Sequence, residues 1–141
     1  MSVLQVSVFL ENKPGQLSEV VTLLADRGID LRALSLADTQ DFGILRLIVD
    51  APDRAAEIIR EAGYVCKQNH VLCVAVPDQP GSMAEFLKVL ASGSVSLEYT
   101  YAFTSARPGC AYMVCRVDDR DAAEALLSKA GYALADEKDL F

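Results

Sequence analysis

The chain of 141 residues repeats itself, and this repeat constrains its fold more than any other feature. The segment ENKPGQL at residues 11–17 returns 66 positions later as PDQPGSM at residues 77–83. The segment EAGY at residues 61–64 returns 68 positions later as KAGY at residues 129–132. Internal self-similarity of this kind indicates a chain built from copies of one structural unit. The sequence therefore predicts two small domains rather than one.

The two spacings differ by two residues, and the difference falls in one turn. Thr39, Gln40 and Asp41 in the first copy correspond to the longer segment 105–109 in the second. Exposed turns tolerate insertions better than strands or helices do. The mismatch therefore supports the alignment of the two copies.

Periodic apolar residues predict the same opening elements in both copies. Residues 4–10 alternate in the way of a strand with one buried face. Spacings of three and four residues follow each Pro-Gly and predict one face of a helix. Gly28 and Gly93 are interpreted as the glycines that end these two helices. The helical positions are Leu17, Val20, Val21 and Leu24 in the first copy and Met83, Phe86, Leu87 and Leu90 in the second.

The remaining segments complete a unit of six elements. In the first copy, strands are predicted at residues 30–38 and 44–49, and a last short strand at residues 64–67. A second helix opens at Pro52 and closes at Gly63. The order strand-helix-strand-strand-helix-strand is that of the ferredoxin-like βαββαβ unit. The predicted fold class is therefore α+β: two tandem ferredoxin-like units with antiparallel sheets and helices on one face.

Almost no linker separates the two predicted units. The polar pair Gln68 and Asn69 is the only break, so we predict residues 1–68 as the first domain and residues 69–141 as the second. A unit of about 70 residues lies near the lower limit of independent stability. This favours two modules that are fused into one body.

The charge balance argues against several kinds of partner. There are 20 Asp and Glu residues against 13 Lys and Arg, a formal net charge of −7. Nucleic acid and anionic membrane surfaces are bound by clustered basic side chains, so we expect neither as a partner. Asp118 and Asp119 fall at a predicted helix start, where carboxylates cap backbone N–H groups. No leader-like segment and no long uncharged segment is visible, so we expect a cytoplasmic protein.

The sequence offers little that suits catalysis. Cys66, Cys73, Cys110 and Cys115 form no C-x-x-C pair, and His70 is the only histidine that could join them as a metal ligand. We interpret the cysteines as small buried hydrophobes in a reducing compartment. A single histidine leaves no Ser-His-Asp or Cys-His arrangement, and no phosphate loop or dinucleotide motif is present. We expect no enzyme activity, no cofactor and no metal.

The repeated segments resemble a known family. ENKPGQL at residues 11–17, the amphipathic helix that follows, and GIDLRALSLADT at residues 28–39 resemble an ACT domain. Both copies carry the family's Pro-Gly turn, and the resemblance covers essentially the whole chain. The chain is similar to small proteins that consist of two ACT domains in tandem.

This resemblance implies a function. ACT domains sense small molecules, most often amino acids, and two of them pack edge to edge with the ligand between them. They generally regulate an enzyme or a transporter to which they are fused or bound. The resemblance thus implies an allosteric sensor with its ligand near the Pro-Gly loops.

Physical chemistry gives a separate reason to expect an amino acid at these loops. The helix after each Pro-Gly begins with N–H groups that have no partner within the helix and that favour a carboxylate. Gly15 and Gly81 have no Cβ, so a ligand can approach the backbone closely. Asn12, Asp38 and Asp78 supply oxygen acceptors for an ammonium group. A plain tight turn is the alternative interpretation. The predicted ligand-binding residues are Glu11, Asn12, Lys13, Pro14, Gly15, Gln16, Leu17, Ser35, Ala37, Asp38, Asp78, Gln79, Pro80, Gly81, Ser82, Met83, Tyr99 and Tyr101.

The two copies differ on the strand that follows the first helix. Small residues leave room beside a strand, whereas aromatic residues fill it, so we predict one well-formed pocket and one that is altered or filled. The alternative is that the tyrosines pack a core or a dimer surface. The positions compared are Ala33, Ser35 and Ala37 in the first copy and Tyr99, Tyr101 and Phe103 in the second.

The apolar side chains on one face of the second copy's first strand predict that another protein surface covers this face. Alternate residues of a strand point to opposite faces, and the face away from the helices is apolar only in the second copy. A solvated face is normally polar, so a second chain or the other module is expected to cover this one, and we predict a homodimer. The residues on this face are Gln5, Ser7 and Phe9 in the first copy and Val71, Cys73 and Ala75 in the second.

Two other functional classes stay open. A regulatory subunit of a metabolic enzyme, like the small subunit of acetolactate synthase, is one; those subunits carry one ACT domain and a different C-terminal domain. A ferredoxin-like enzyme or metal carrier has the same topology, and topology alone does not determine function. The absence of converging titratable residues makes this last class a poor fit.

Overall fold

The computed structural model describes residues 1–38, 41–104 and 107–141. These residues form seven strands and five helices. The first six elements are β1 (Val3–Glu11), α1 (Gln16–Asp26), β2 (Leu31–Asp38), β3 (Phe42–Val49), α2 (Pro52–Glu61) and β4 (Val65–Pro77). The others are α3 (Ser82–Ser92), β5 (Leu97–Thr104), β6 (Cys110–Val117), α4 (Arg120–Lys129), β7 (Leu134–Ala135) and α5 (Glu137–Leu140).

The chain divides into two compact units. The first unit contains Leu4–Asn69, and the second unit contains Met1–Val3 together with His70–Phe141. Within the second unit, the Met1 ammonium forms an ion pair with Glu124 at 2.6 Å.

Two helices of the first unit cover one face of its sheet. The strand order is β2-β3-β1-β4, and β3 pairs antiparallel with both β1 and β2. Alternate residues of β1 and β3 point toward α1 and α2, as the alternation of residues 4–10 predicts. The buried cluster between sheet and helices includes Val6, Val8, Leu45, Leu47, Val20, Leu24, Ala55 and Ile59.

The second unit has the same arrangement and adds a short helix. Here β4 pairs with β6 and β7, and β6 pairs with β5, all antiparallel, which gives the order β7-β4-β6-β5. Leu87 lies at the edge of the apolar face of α3 and is 39% exposed. The buried cluster includes Leu72, Val74, Val76, Phe86, Leu90, Cys115, Val117, Ala123 and Leu127. The predicted α+β fold with two βαββαβ units is confirmed.

The predicted end of α3 at Gly93 is confirmed, but Gly93 is not the left-handed residue that the comparison with Gly28 implied. Gly28 has a φ of 73° just after α1, as a helix-ending glycine should. Gly93 has a φ of −98°, and the left-handed position belongs to Ser94, with a φ of 57°. The repeat spacing of 66 places Ser94, not Gly93, opposite Gly28. A side chain at position 93 would meet a neighbour, because a Cβ there would lie 2.5 Å from Leu126 Cδ2.

The polar pair Gln68 and Asn69 is not a break in the structure. Both residues lie inside β4, which runs without interruption over 13 residues. Gln68 Nε2 donates to Asp53 Oδ1 at 2.9 Å, and Gln5 Nε2 donates to Asn69 Oδ1 at 3.3 Å. Gln68 Nε2 and Asn69 Oδ1 thus have partners within a strand, whereas Asn69 Nδ2 is buried without a hydrogen-bond partner among the described residues. The polarity of this pair therefore does not signal a loop.

The apolar strand face of the second unit is already covered. Val71 and Cys73 are fully buried, and Ala75 is 7% exposed. Because this burial is complete in a single chain, the face no longer argues for a second chain. The homodimer stays a prediction.

The cysteines behave as predicted for small hydrophobes. Cys66, Cys73 and Cys115 are buried and Cys110 is half-buried, and all four are free thiols. Burial raises the pKa of the Cys73 thiol to about 12 and that of Cys115 to about 11. These two thiols are therefore protonated and unreactive at neutral pH.

Within residues 1–38, 41–104 and 107–141, no helix combines the length and the apolar character that a membrane crossing requires.

Candidate functional site: two equivalent clefts beside the Pro-Gly loops

The Pro-Gly turns take the same left-handed form in both units. Gly15 and Gly81 each have a φ of 87° and precede the first residue of α1 and α3. Among the residues that the structure describes, no side chain caps either helix start. A Cβ at either glycine would meet nothing within 4 Å. The left-handed backbone by itself favours glycine at both positions. The space beside each glycine is open, and the close approach of a ligand there stays a prediction.

Each Pro-Gly loop is tied to the β-hairpin of its own unit. Asn12 N–H donates to the Asp41 carbonyl at 3.4 Å, and Asp78 N–H donates to the Gly109 carbonyl at 2.8 Å. The predicted insertion lies in these hairpin turns, but Thr39, Gln40, Ser105 and Ala106 are outside the described residues. The hydrogen bonds bring the turn that contains Arg107 next to the loop of the second unit.

A cleft opens beside each loop, within each unit. The first cleft has a volume of about 420 Å³, and the second cleft about 470 Å³. The first cleft is lined by Phe9, Glu11, Gln16, Glu19, Phe42, Ala62, Gly63, Tyr64 and Val65. The second cleft is lined by Ala75, Pro77, Gln79, Ser82, Glu85, Val89, Arg107, Cys110, Ala130, Gly131, Tyr132 and Ala133.

The two clefts are the same feature of the repeated fold. Glu19 and Glu85 are 66 positions apart, and Tyr64 and Tyr132 are 68 positions apart, as the repeat requires. Each cleft lies between the first strand, the first helix, the start of the third strand and the loop after the second helix. A feature that recurs at matched positions follows from the fold and not from a local accident of packing.

Three walls of the second cleft are smaller than their counterparts. Where the first cleft has an aromatic or branched side chain, the second cleft has Ala or Cys, which leaves more room between its walls. The pairs are Phe9 and Ala75, Phe42 and Cys110, and Val65 and Ala133.

A tyrosine faces a glutamate in both clefts. Burial raises the pKa of Tyr64, and a hydrogen bond to Glu19 raises it further. Burial also raises the pKa of Tyr132, and the negative charge of Glu85 adds to the effect. The Tyr132 ring is held edge-on against Phe86 at a centroid distance of 5.4 Å. The Tyr132 phenol is therefore neutral at physiological pH and available as a hydrogen-bond donor.

The predicted loop residues divide between the clefts, the solvent and the cores. Glu11 and Gln16 line the first cleft, and Gln79 and Ser82 line the second. Leu17 and Met83 pack against the buried cores beneath the helices. Lys13 forms an ion pair with Glu11, which raises the pKa of its ammonium group. The exposed remainder is Asn12, Pro14, Gly15, Asp38, Asp78, Pro80 and Gly81.

The predicted strand residues lie elsewhere. Ser35 is opposite Arg46, and Tyr101 is opposite Val114. Their neighbours Leu45 and Cys115 point into the helix-covered cores. Alternation therefore places Ser35, Ala37, Tyr99 and Tyr101 on the sheet faces away from the helices, and none of them lines either cleft.

Sequence reasoning missed the charged and phenolic groups of the second cleft. Glu85, Arg107 and Tyr132 come from α3, the β5–β6 turn and the loop after α4. A signal was available: Glu85 and Tyr132 both recur at their repeat positions as Glu19 and Tyr64. Within the described part of the chain, no group of three or more His, Cys, Asp or Glu side chains forms a metal-binding cluster.

Comparisons with known proteins support the same fold over the full length. A protein from Bacteroides thetaiotaomicron with a known crystal structure is 36% identical with a TM-score of 0.91, over 99% of this chain and 96% of that one. The ligand-free regulatory subunit of aspartate kinase from Thermus thermophilus is 20% identical with a TM-score of 0.65, over 90% of this chain and 89% of that one. The corresponding subunit from Thermus flavus is 16% identical with a TM-score of 0.65, over 90% and 91%. At these two lower identities the likeness shows a shared fold.

A search of curated proteins gave no match. A family model that describes an ACT domain pair matches residues 1–141. The resemblance seen in the repeated Pro-Gly segments is thereby confirmed. The chain belongs to the family of ACT domain pairs.

Proposed function

We propose that this protein is a regulatory sensor that binds an amino acid beside its Pro-Gly loops and has no catalytic activity of its own. The observation that carries the proposal is the matched pair of helix starts. Both begin at a left-handed glycine without a side-chain cap, and both border a cleft. The domain limits 1–68 and 69–141, and a second ACT surface that closes over the ligand, are part of this proposal.

The chemistry of a helix start suits the α-carboxylate. The first N–H groups of a helix have no partner within the helix, and the helix dipole attracts negative charge. The attraction contributes about 0.3–1 kcal/mol at an exposed helix start. An amino acid therefore gains from its carboxylate at the loop, while its remaining groups reach the cleft beside it.

A thermal-shift screen over the twenty amino acids tests the proposal. A ligand that binds only the folded state at a hundredfold excess over its dissociation constant stabilises the protein by about 2.7 kcal/mol. We expect one amino acid, or one side-chain class, to raise the melting temperature, and its α-amide to raise it less because the amide lacks the carboxylate charge. If none of the twenty does so at millimolar concentration, the proposal is wrong.

Stoichiometry tests the predicted difference between the two copies. We propose one ligand per chain at high affinity because the two copies differ in their side chains. Isothermal titration of the amino acid found in the screen measures this number. Two sites of equal affinity would contradict the proposed difference.

We propose a cytoplasmic metabolic enzyme as the partner. The fold is that of the aspartate kinase regulatory subunit from Thermus thermophilus, and the unreactive thiols of Cys73 and Cys115 suit a reducing compartment. Affinity purification from native extract, with and without the amino acid, should recover a larger catalytic chain in a ligand-dependent amount. Recovery of this chain alone under both conditions would count against the partner.

A further inference from the structure

The second cleft offers a more specific assignment, which rests on the proposed amino-acid binding. We propose that it binds a zwitterionic amino acid with an aliphatic side chain, whose ammonium group lies at Glu85 and whose carboxylate lies at Arg107. This location is distinct from the strand positions Ser35, Ala37, Tyr99 and Tyr101, which do not line the cleft.

Size and wall chemistry favour a small aliphatic ligand. A volume of about 470 Å³ lies within the usual range of about 300–1,000 Å³ for ligand sites. The walls include Ala75, Val89 and Ala133, which present methyl groups, and Cys110, which is a small hydrophobic residue. Burying an aliphatic side chain against such walls is favourable because apolar surface leaves water.

The charges distinguish the second cleft from the first. Its lining contains a carboxylate, Glu85, and a guanidinium, Arg107. The described lining of the first cleft contains no cation, and its carboxylates are Glu11, which is paired with Lys13 outside the lining, and Glu19. A zwitterion matches a pair of opposite charges and does not match two carboxylates, because charge complementarity sets specificity.

The hydrogen bonding of the two equivalent glutamates also favours the second cleft as the ligand site. Glu19 is engaged by the Tyr64 hydroxyl. No hydrogen bond or ion pair holds the Glu85 carboxylate among the residues that the structure describes. Glu85 is therefore able to receive an ammonium group without losing an existing partner, and Tyr132 beside it offers a phenolic donor.

Isothermal titration of the full chain with L-leucine tests the charge assignment. We expect Glu85→Gln and Arg107→Gln each to weaken L-leucine binding by about fivefold, the effect of about 1 kcal/mol for an exposed ion pair. Glu57→Gln and Arg54→Gln, which change exposed residues of α2 that line neither cleft, are the matched controls and should leave the affinity unchanged.

Titration with L-leucinamide tests the assignments of the ammonium group and the carboxylate separately. It keeps the ammonium group and lacks the carboxylate, so Glu85→Gln should weaken it and Arg107→Gln should not. An equal loss of L-leucine and L-leucinamide binding in Arg107→Gln would overturn the assignment of the carboxylate.

The shape of the cleft gives an independent test. Cys110→Phe introduces the residue that the first cleft carries as Phe42, and it should abolish L-leucine binding by filling the cleft. Cys110 is only half-buried, and a thermal melt of each variant identifies any loss of folding.

The outcomes separate this inference from the proposed function. If an amino acid binds but neither Glu85→Gln nor Cys110→Phe affects it, the amino-acid sensor stands and the cleft assignment is wrong. If only charged amino acids bind, the aliphatic class is wrong. If no amino acid binds, both proposals fail.

Discussion

A single serine in the second unit occupies a backbone position that the first unit gives to glycine. Ser94 has a φ of 57°, and its counterpart Gly28 has a φ of 73°. Left-handed backbone costs a non-glycine residue roughly 1–2 kcal/mol. The end of α3 therefore carries strain that the end of α1 does not.

Ser94→Gly should raise the free energy of unfolding. The relief of strain exceeds the entropy that glycine adds to the unfolded chain, so we expect a net gain of about 0.5–1 kcal/mol. Urea denaturation measures the change. Ser94→Ala is the matched control, and a comparable gain in this variant would show that strain is not the cause.

The same position shows how far the role of a single residue can be predicted from the sequence. Gly93 predicted that a helix ends here, and it does. The left-handed role was wrong for Gly93, since its φ is −98°; a Cβ there would instead lie against Leu126. Composition does not separate these two uses of glycine, whereas the alignment with Gly28 does.

Among the elements, the second helices of the two units begin differently. Asp119 caps α4, and its Oδ1 accepts a hydrogen bond from Ala122 N–H at 3.0 Å. The equivalent residue before α2 is Ala51, and no side chain caps that helix. The capping role predicted for Asp119 is confirmed. α2 relies instead on Pro52 at its start, where the missing N–H costs nothing.

Asp119→Ala should destabilise the protein by about 1 kcal/mol because α4 loses its cap. Asp121→Ala removes an exposed acid from the same turn without removing the cap, and it should cost less. Urea denaturation of both variants at neutral pH checks the difference. Equal losses would assign the effect to charge near the helix start and not to the Asp119 hydrogen bond.

The elements were predictable where apolar residues repeat at regular spacing. The positions of α1, β2, β3 and α2 follow from such patterns. α5 was missed because its four residues are too few to show a period. The interior of β4 was misread because Gln68 and Asn69 find partners in Asp53 and Gln5, which no local pattern reveals.

For the whole molecule, the repeat predicted the architecture, but it did not predict which side chains line the clefts. Glu85, Arg107 and Tyr132 lie in three separate segments of the sequence. The hydrogen bond between Asp78 and Gly109 brings the β5–β6 turn to the Pro-Gly loop. A pairing between loops of different lengths leaves no periodic trace in the sequence.

The homodimer was predicted from the strand face of the second unit, which is buried; an exposed edge of the first unit is another surface on which two chains could pair. β2 ends the strand order of that unit, and its Leu34 and Leu36 are 46% and 49% exposed. Edge strands with exposed apolar residues tend to associate. Sedimentation at micromolar concentration should show twice the 15.2 kDa chain mass, and Leu36→Lys should shift it toward one chain. A single 15.2 kDa species for the unaltered protein would refute the dimer.

The unbroken course of β4 sets a parity rule for changes of length. Successive side chains of a strand point to opposite faces, so one residue inserted after Asn69 would reverse the faces of Val71 and every later residue of β4 relative to residues 65–69. Two inserted residues would restore the alternation. We therefore expect an insertion at this point to disturb the strand least when it adds an even number of residues, a constraint that an ordinary linker would not impose.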